Sequence, residues 1–416
     1  MQPFDLIVRG EVIDPSQKLR GRREIGIRDG LIAAVEESLE GAPCRERLDA
    51  GDAYVTPGFV DIHAHIYAGV TSWGVRPDPP CLRSGVTTVV DAGSAGWTML
   101  QGFRWYVHEP SRVRALCFLH ISGLGLVNAW VDECKDLSHV DAQTVGEHVA
   151  ENRDFVTGVK VRQGRQQVWD NGVEPLRLAI QAAEIASSFR LPPSSFPVMC
   201  HIAAGIPLAS VLELMRPGDI VTHCYQGKGE DGENVTDSRG RLLPEVVDAR
   251  QKGVVMDVGH GGGSFRWEIA EAALEQGFLP DVVSTDLHAY NMHGPLFDMA
   301  TTLTKFLALG LPLEKVVESA TCAPARAIGR PELGTLRIGS PADLAVFSIR
   351  SEPVRLWDTH LTSRSWDRRL HVEATVCGGR VHRPEELELE TEEEITRRCR
   401  LRSESPRTGL APWRAE

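Results

Sequence analysis

No Cys-x-x-Cys pair occurs in the chain, and its nine cysteines are scattered and odd in number. That pattern excludes a disulfide frame and points to reduced thiols in a cytoplasmic protein. No apolar run approaches the roughly 20 residues that cross a bilayer, so no membrane association is expected. The opening residues, Met1-Gln-Pro-Phe-Asp-Leu-Ile-Val-Arg9, have neither a basic start nor a long apolar core, and no signal peptide is expected. Positive charge is also in deficit. Lys and Arg total 45 against 57 Asp and Glu, a net charge of -12. No basic surface is implied, which argues against a nucleic-acid partner. Aromatic residues are scarce, at 6%. This acidic, aromatic-poor composition fits a small-molecule substrate.

What is present is enough apolar residue, 42% of 416, for one large α/β domain and a smaller companion. Residues 1–55 read as short strands near 6–8, 24–27 and 32–35, with Arg28-Asp-Gly30 as a hairpin signal. From residue 56, apolar strands centred near 60, 88, 117, 158, 199, 221, 256 and 284 alternate with helix-like segments or long loops. Eight alternating units over 56–330 predict a (β/α)8 TIM barrel. A doubly wound open sheet is the alternative. It is disfavoured because the unusual polar residues fall at strand C-terminal ends and Gly259-His-Gly-Gly-Gly263 is not a dinucleotide fingerprint. Strand texture without helices returns over 331–383. These strands are expected to pair with residues 1–55 in one small β-sandwich built from both chain ends. Residues 384–416 form a charged tail, read as a solvated surface.

The chemistry begins at His63-Ala-His65. Val60, Ile62 and Ala64 alternate with Asp61, His63 and His65, so both imidazoles face one side of a strand. They can bind one metal ion from adjacent positions, or be satisfied polar residues. Lys160 lies in the fourth strand between Val159 and Val161, where a buried cation is costly. It is either paired with a carboxylate or neutralised as a carbamate by carbon dioxide. His201, His223 and Asp286 end the fifth, sixth and eighth strands. Together these residues make a nitrogen and oxygen environment suited to a divalent ion such as zinc. Cys200 and Cys224 alternate away from it, and Asp61 reads as a supporting carboxylate.

Those residues, with Thr56-Pro-Gly-Phe59, Ser284-Thr-Asp286 and Leu333-Gly-Thr-Leu-Arg-Ile-Gly-Ser-Pro-Ala-Asp-Leu-Ala-Val-Phe347, resemble the amidohydrolase superfamily in its binuclear branch. The stretch Leu82-Arg-Ser-Gly-Val-Thr-Thr-Val-Val-Asp91 looks like its amidohydrolase/deacetylase group, similar to dihydroorotases and D-aminoacylases. The resemblance implies two divalent metal ions, expected to be zinc. His63, His65 and Asp286 would hold the more buried ion and His201 and His223 the other, with carboxylated Lys160 between them. It also implies a metal-bridging hydroxide as nucleophile and Asp286 as general base and acid. By analogy the protein is expected to be a homo-oligomer.

Substrate contacts are thinner in the sequence. Arg162 lies two residues beyond Lys160, where its fork could meet a substrate carboxylate or form a salt bridge. Tyr225 could donate to an oxyanion, and His288 is a polar group near the last strand end. The expected reaction is removal of an acyl group, acetyl above all, from a small carboxylated amino or hydroxy acid. A cyclic amide hydrolase of the dihydroorotase or hydantoinase kind is the alternative, and a non-catalytic scaffold with the same fold is a third reading.

Overall fold

Two seven-stranded sheets organise the chain in a computed structural model that describes residues 2–128, 131–189, 195–227 and 234–399. The first sheet has the order β14-β13-β12-β4-β1-β2-β3. Its strands are β1 (Phe4–Asp14), β2 (Leu19–Arg28), β3 (Leu31–Glu36), β4 (Cys44–Pro57), β12 (Leu344–Trp357), β13 (Ser363–Cys377) and β14 (Arg380–His382). The two chain ends meet where β4 pairs antiparallel with β12, Val55 opposite Val346. Leu6, Val8, Ile25, Val55, Leu344 and Val376 bury one face of this sheet, as alternation at period two requires.

The second sheet is parallel and runs in chain order. Its strands are β5 (Phe59–Ala64), β6 (Val86–Gly96), β7 (Arg114–His120), β8 (Val156–Gln163), β9 (Val198–Ile202), β10 (Ile220–Thr222) and β11 (Val255–Asp257). An extended segment at 282–287 closes it. Val258 and His260 donate to the carbonyls of Val282 and Ser284 on one side. On the other side, Asp286 donates to His63 and His65 donates to Leu287. With this eighth stave the sheet is a closed TIM barrel, the fold expected from the sequence. Closure leaves no strand edge exposed to pair with another chain.

β4 runs directly into β5 through Pro57-Gly58, so the small sheet continues into the first barrel strand. Barrel strands are buried on both faces, which is why they read as near-continuous apolar runs. The helix Glu174–Ser188 begins with Pro175 in its first turn and buries Leu176, Ala179, Ala183 and Ala186. Gly253, at φ 98°, ends the helix Pro244–Lys252, as its sequence position indicates. Among the described residues no helix is long and apolar enough to cross a membrane.

The charged segment after residue 383 is laid on the barrel. Leu387 and Ile395 are buried, and the helix Glu392–Cys399 is started by a reciprocal cap. Thr391 N donates to Glu394 Oε2, and Glu394 N donates to Thr391 Oγ1. The expectation of a wholly solvated tail is corrected for 384–399. Three apolar residues (Leu387, Leu389 and Ile395) interrupt its charges and reach the main core. The remainder, 400–416, lies outside the described residues.

Candidate metal centre

All six predicted ligands sit at the C-terminal end of the barrel. His63 and His65 leave β5 on one face. Their Nε2 atoms lie 3.4 and 3.2 Å from Asp286 Oδ1, and one ligand atom from each of the three falls within 4.8 Å of the others. Asp286 Oδ1 is buried and accepts no hydrogen bond. An orphaned carboxylate oxygen between two imidazoles fits a cation at that point.

The tautomers agree with that fit. The Thr222 hydroxyl donates its proton to Asp257 Oδ2 at 2.6 Å. It is therefore an acceptor toward His63 Nδ1, 2.8 Å away. His63 Nδ1 thus carries the hydrogen, and Nε2 presents a lone pair to the site. His65 Nδ1 is similarly engaged with Ser94 Oγ at 3.0 Å. Burial pushes the imidazole of His63 well below its usual range, and brings that of His65 to about 3, so both are neutral near pH 7.

His201 and His223 form the second half. His223 Nδ1 donates to the Gly259 carbonyl at 2.6 Å, which leaves its Nε2 bare, 2.8 Å from His201 Nδ1. The rings of His63 and His223 lie 5.0 Å apart, so the two halves are contiguous. Lys160 lies between them. Its Nζ is 3.3 Å from His63 Nε2, and no ion pair to it is present among the described residues. The carboxylate partner that would make Lys160 an ordinary salt-bridged lysine is not among its contacts. Burial lowers its pKa to about 8 against the pull of Asp286. Such an amine is partly uncharged near neutrality, as carbamate formation needs.

His223 and Asp286 both have positive φ, 75° and 52°. That conformation is strained for residues with a Cβ and is retained only where the surroundings enforce it. Here the enforcement is close packing. A Cβ on Gly261 would stand 2.5 Å from Asp286 Oδ2, so the loop after β11 can pass the carboxylate only as glycine.

The Amidohydrolase family model matches residues 265–382. A deacetylase of Agrobacterium fabrum (strain C58) is 38% identical over 336 residues, which are 80% of this chain and 79% of that one. This chain belongs to the amidohydrolase family. As an amidohydrolase it is a hydrolase acting on C–N bonds, in a family whose members depend on metal. A deacetylase of Enterococcus faecalis (strain V583) is 35% identical over 91% of this chain and 99% of its own length. Two solved structures are similar throughout. One, described as an adenine deaminase, has a TM-score of 0.83 at 32% identity and covers 91% of this chain and 100% of its own. The other, described as a dihydroorotase, has a TM-score of 0.80 at 34% identity and covers 91% and 99%.

Within this amidohydrolase the substrate residues are placed differently from the sequence expectation. Arg162 is buried, and its Nε and Nη2 donate to Glu133 at 2.5 and 2.7 Å. The expectation that its fork meets a substrate carboxylate is corrected, because Glu133 occupies two of its three nitrogens. Burial alone would raise the Glu133 carboxyl, but Arg162 outweighs it and holds the pKa at about 2. Tyr225 is also corrected. Its hydroxyl donates to the Phe278 carbonyl at 2.9 Å and its ring stacks on Phe306, behind the barrel. The Phe278 carbonyl and the Phe306 ring hold the side chain away from the ligand cluster.

His288 does lie at the site. Its Nδ1 accepts from Tyr290 N at 3.1 Å, which puts the ring hydrogen on Nε2. Asn291 supports this loop by accepting from His288 N and donating to the Asp286 carbonyl. Trp73 packs against His65 and His288, with centroids 5.8 and 5.0 Å apart, and against Tyr290 at 5.2 Å. Thr222, Asp257, Ser94 and Glu133 escape the sequence reading. Only the apolar strand context around Thr222 and Asp257 singles out two buried polar residues near ligands. Asp61, expected to be a supporting carboxylate, accepts from Thr285 N at 3.0 Å and His63 N at 3.3 Å.

Proposed function

We propose that this amidohydrolase removes an acyl group, acetyl above all, from a small carboxylated amino or hydroxy acid. The observation that carries the reading is Lys160, buried and without an ion pair among the described residues, beside the strand-end cluster of His63, His65, His201, His223 and Asp286. Two relatives named deacetylases, at 38% and 35% identity, favour acyl transfer to water.

His63, His65 and Asp286 would hold one divalent ion, and His201 and His223 a second, with carboxylated Lys160 contributing oxygens to both. The mixed nitrogen and oxygen donors suit zinc. When bound, such ions supply a water of lowered pKa and polarise a carbonyl. The chain's own groups supply the rest. Asp286, its pKa raised by burial, takes the proton of the attacking water on a carboxylate oxygen and returns it to the departing nitrogen or oxygen. His288, through Nε2–H, offers a hydrogen bond to the bound acyl acid. Arg162, held by Glu133, is buried beside the site and is not assigned a substrate contact. Trp73 packs against His65, His288 and Tyr290 and so forms an aromatic wall beside the cluster.

The second reading is hydrolysis of a cyclic amide, which the similarity to a structure described as a dihydroorotase favours. A panel of N-acyl amino acids, O-acetyl hydroxy acids, cyclic amides and adenine, assayed on zinc-loaded protein, separates the readings. Release of acetate from linear acids is expected. Ring opening or ammonia release without deacylation would overturn the proposal.

A further inference from the structure

We propose that the segment 384–398 clamps the barrel mouth, and that Arg398 and Glu390 are positioning residues for the wall facing the substrate. The inference rests on the site proposed above, because that site makes this wall functional.

One ion pair joins two loops. Arg398 Nε and Nη2 meet the Glu390 carboxylate in a two-pronged pair at 3.1 and 2.9 Å. The remaining Arg398 nitrogen, Nη1, donates to the Gly74 carbonyl at 2.6 Å. The Glu390 backbone carbonyl accepts from His293 Nε2 at 2.8 Å. Gly74 belongs to the loop after β5, next to Trp73. His293 belongs to the loop after the last stave, with His288, Tyr290 and Asn291. These loops already touch, since Ala289 N donates to the Trp73 carbonyl at 2.8 Å and Trp73 packs on His288 and Tyr290. The clamp therefore grips, from outside, the two loops whose inner faces stand against His65 and Asp286.

Its own position is fixed independently. Arg83 Nη1 donates to the carbonyls of Pro384 and Leu387, and Ile395 is buried. Gly74 is also tightly held, because a Cβ there would stand 2.3 Å from the Tyr67 backbone. A forked guanidinium–carboxylate pair adds geometric definition as well as attraction. A partly exposed pair adds little to global stability. Its loss should therefore loosen the two loops and leave the fold in place.

The test compares wild type, Arg398→Ala, Arg398→Lys and Glu390→Gln as full-length, zinc-loaded proteins. Hydrogen exchange is read over 66–77 and 287–297, and the N-acetyl amino acid or O-acetyl hydroxy acid that wild type turns over fastest is the kinetic probe. Arg398→Ala should exchange about tenfold faster in both loops and raise KM about fivefold to tenfold. Its kcat and zinc content should match wild type. Arg398→Lys can keep the bond to Gly74 but not the fork, and should fall between. Unchanged exchange in either loop overturns the clamp. Faster exchange with unchanged KM overturns the positioning role. If wild type hydrolyses no linear acyl acid of the panel, the proposed function and the positioning role both fail, and the exchange comparison still decides the clamp.

Discussion

His223 Nε2 and His201 Nδ1 point at each other across 2.8 Å, and the hydrogen of His223 is committed to the Gly259 carbonyl on the opposite side of its ring. The pair can share one proton between two nitrogens. A divalent ion would use both lone pairs. Burial keeps both imidazoles below their usual pKa, His223 at about 4, so little proton competition opposes an ion near neutrality.

Metal removal should therefore lower stability. A ligand that binds only the folded state stabilises by about 2.7 kcal/mol at a hundred times its Kd. Chelated protein is expected to melt several degrees below zinc-loaded protein, in thermal unfolding followed by circular dichroism. Coincident melting curves would count against a preformed site.

Thr222→Val tests the outer support of the site. The hydroxyl fixes the His63 tautomer by giving its own proton to Asp257. Losing such a contact weakens metal affinity by about 10-fold to 100-fold. Competition against a zinc-binding dye reads the change, and an unaltered affinity would show that the tautomer is set otherwise.

Glu133→Gln leaves the buried Arg162 cation with a neutral partner. Breaking such a pair costs about 3 kcal/mol near neutrality. The Glu133 carboxyl has a folded pKa of about 2, held by Arg162 below the ordinary glutamate value of 4.5. Its stabilisation is therefore complete above 4.5 and is lost as pH falls toward 2. Urea unfolding should show a large gap between wild type and variant near pH 7 and a narrower one near pH 3. A gap independent of pH would contradict the ion pair.

Lys305 gives the opposite sign. It is fully buried in the helix Met299–Ala308, with Nζ 2.7 Å from His260 Nε2 and 3.0 Å from the Pro295 carbonyl. Burial lowers its pKa from 10.5 to about 7. Below pH 7 both folded and unfolded states are charged, and the full cost of burying the cation is felt. Between 7 and 10.5 the unfolded chain holds the extra proton, so stability rises with pH. Lys305→Met removes that slope, along with two hydrogen bonds whose loss does not depend on pH. Its melting temperature relative to wild type should be most favourable near pH 6 and least near pH 9. A constant difference would place the amine's pKa elsewhere.

The candidate ligands were legible as a cluster because each obeys a local rule. Alternation puts His63 and His65 on one face, and the others end apolar strands. The barrel was legible in the same way, down to the last stave at 282–287. Long-range partners were not. Glu133 lies 29 residues before Arg162, in a loop with no periodicity. His260 and Lys305 meet only through the fold. The direction of Tyr225 was not legible either, because the Phe278 carbonyl and the Phe306 ring that hold it are far away in sequence. In the clamp, the sequence showed only a charged segment, and the joining of Gly74, His293, Glu390 and Arg398 is purely tertiary.

Metal analysis of the purified protein, with turnover on the same sample, tests the two-metal hydrolase most directly. About two equivalents of zinc per chain are expected, with acetate released from a linear acyl acid. Lys160→Ala should abolish that activity, and a short-chain carboxylic acid should restore part of it. Well under one equivalent of metal, and no hydrolysis after zinc and bicarbonate are supplied, would contradict a two-metal hydrolase.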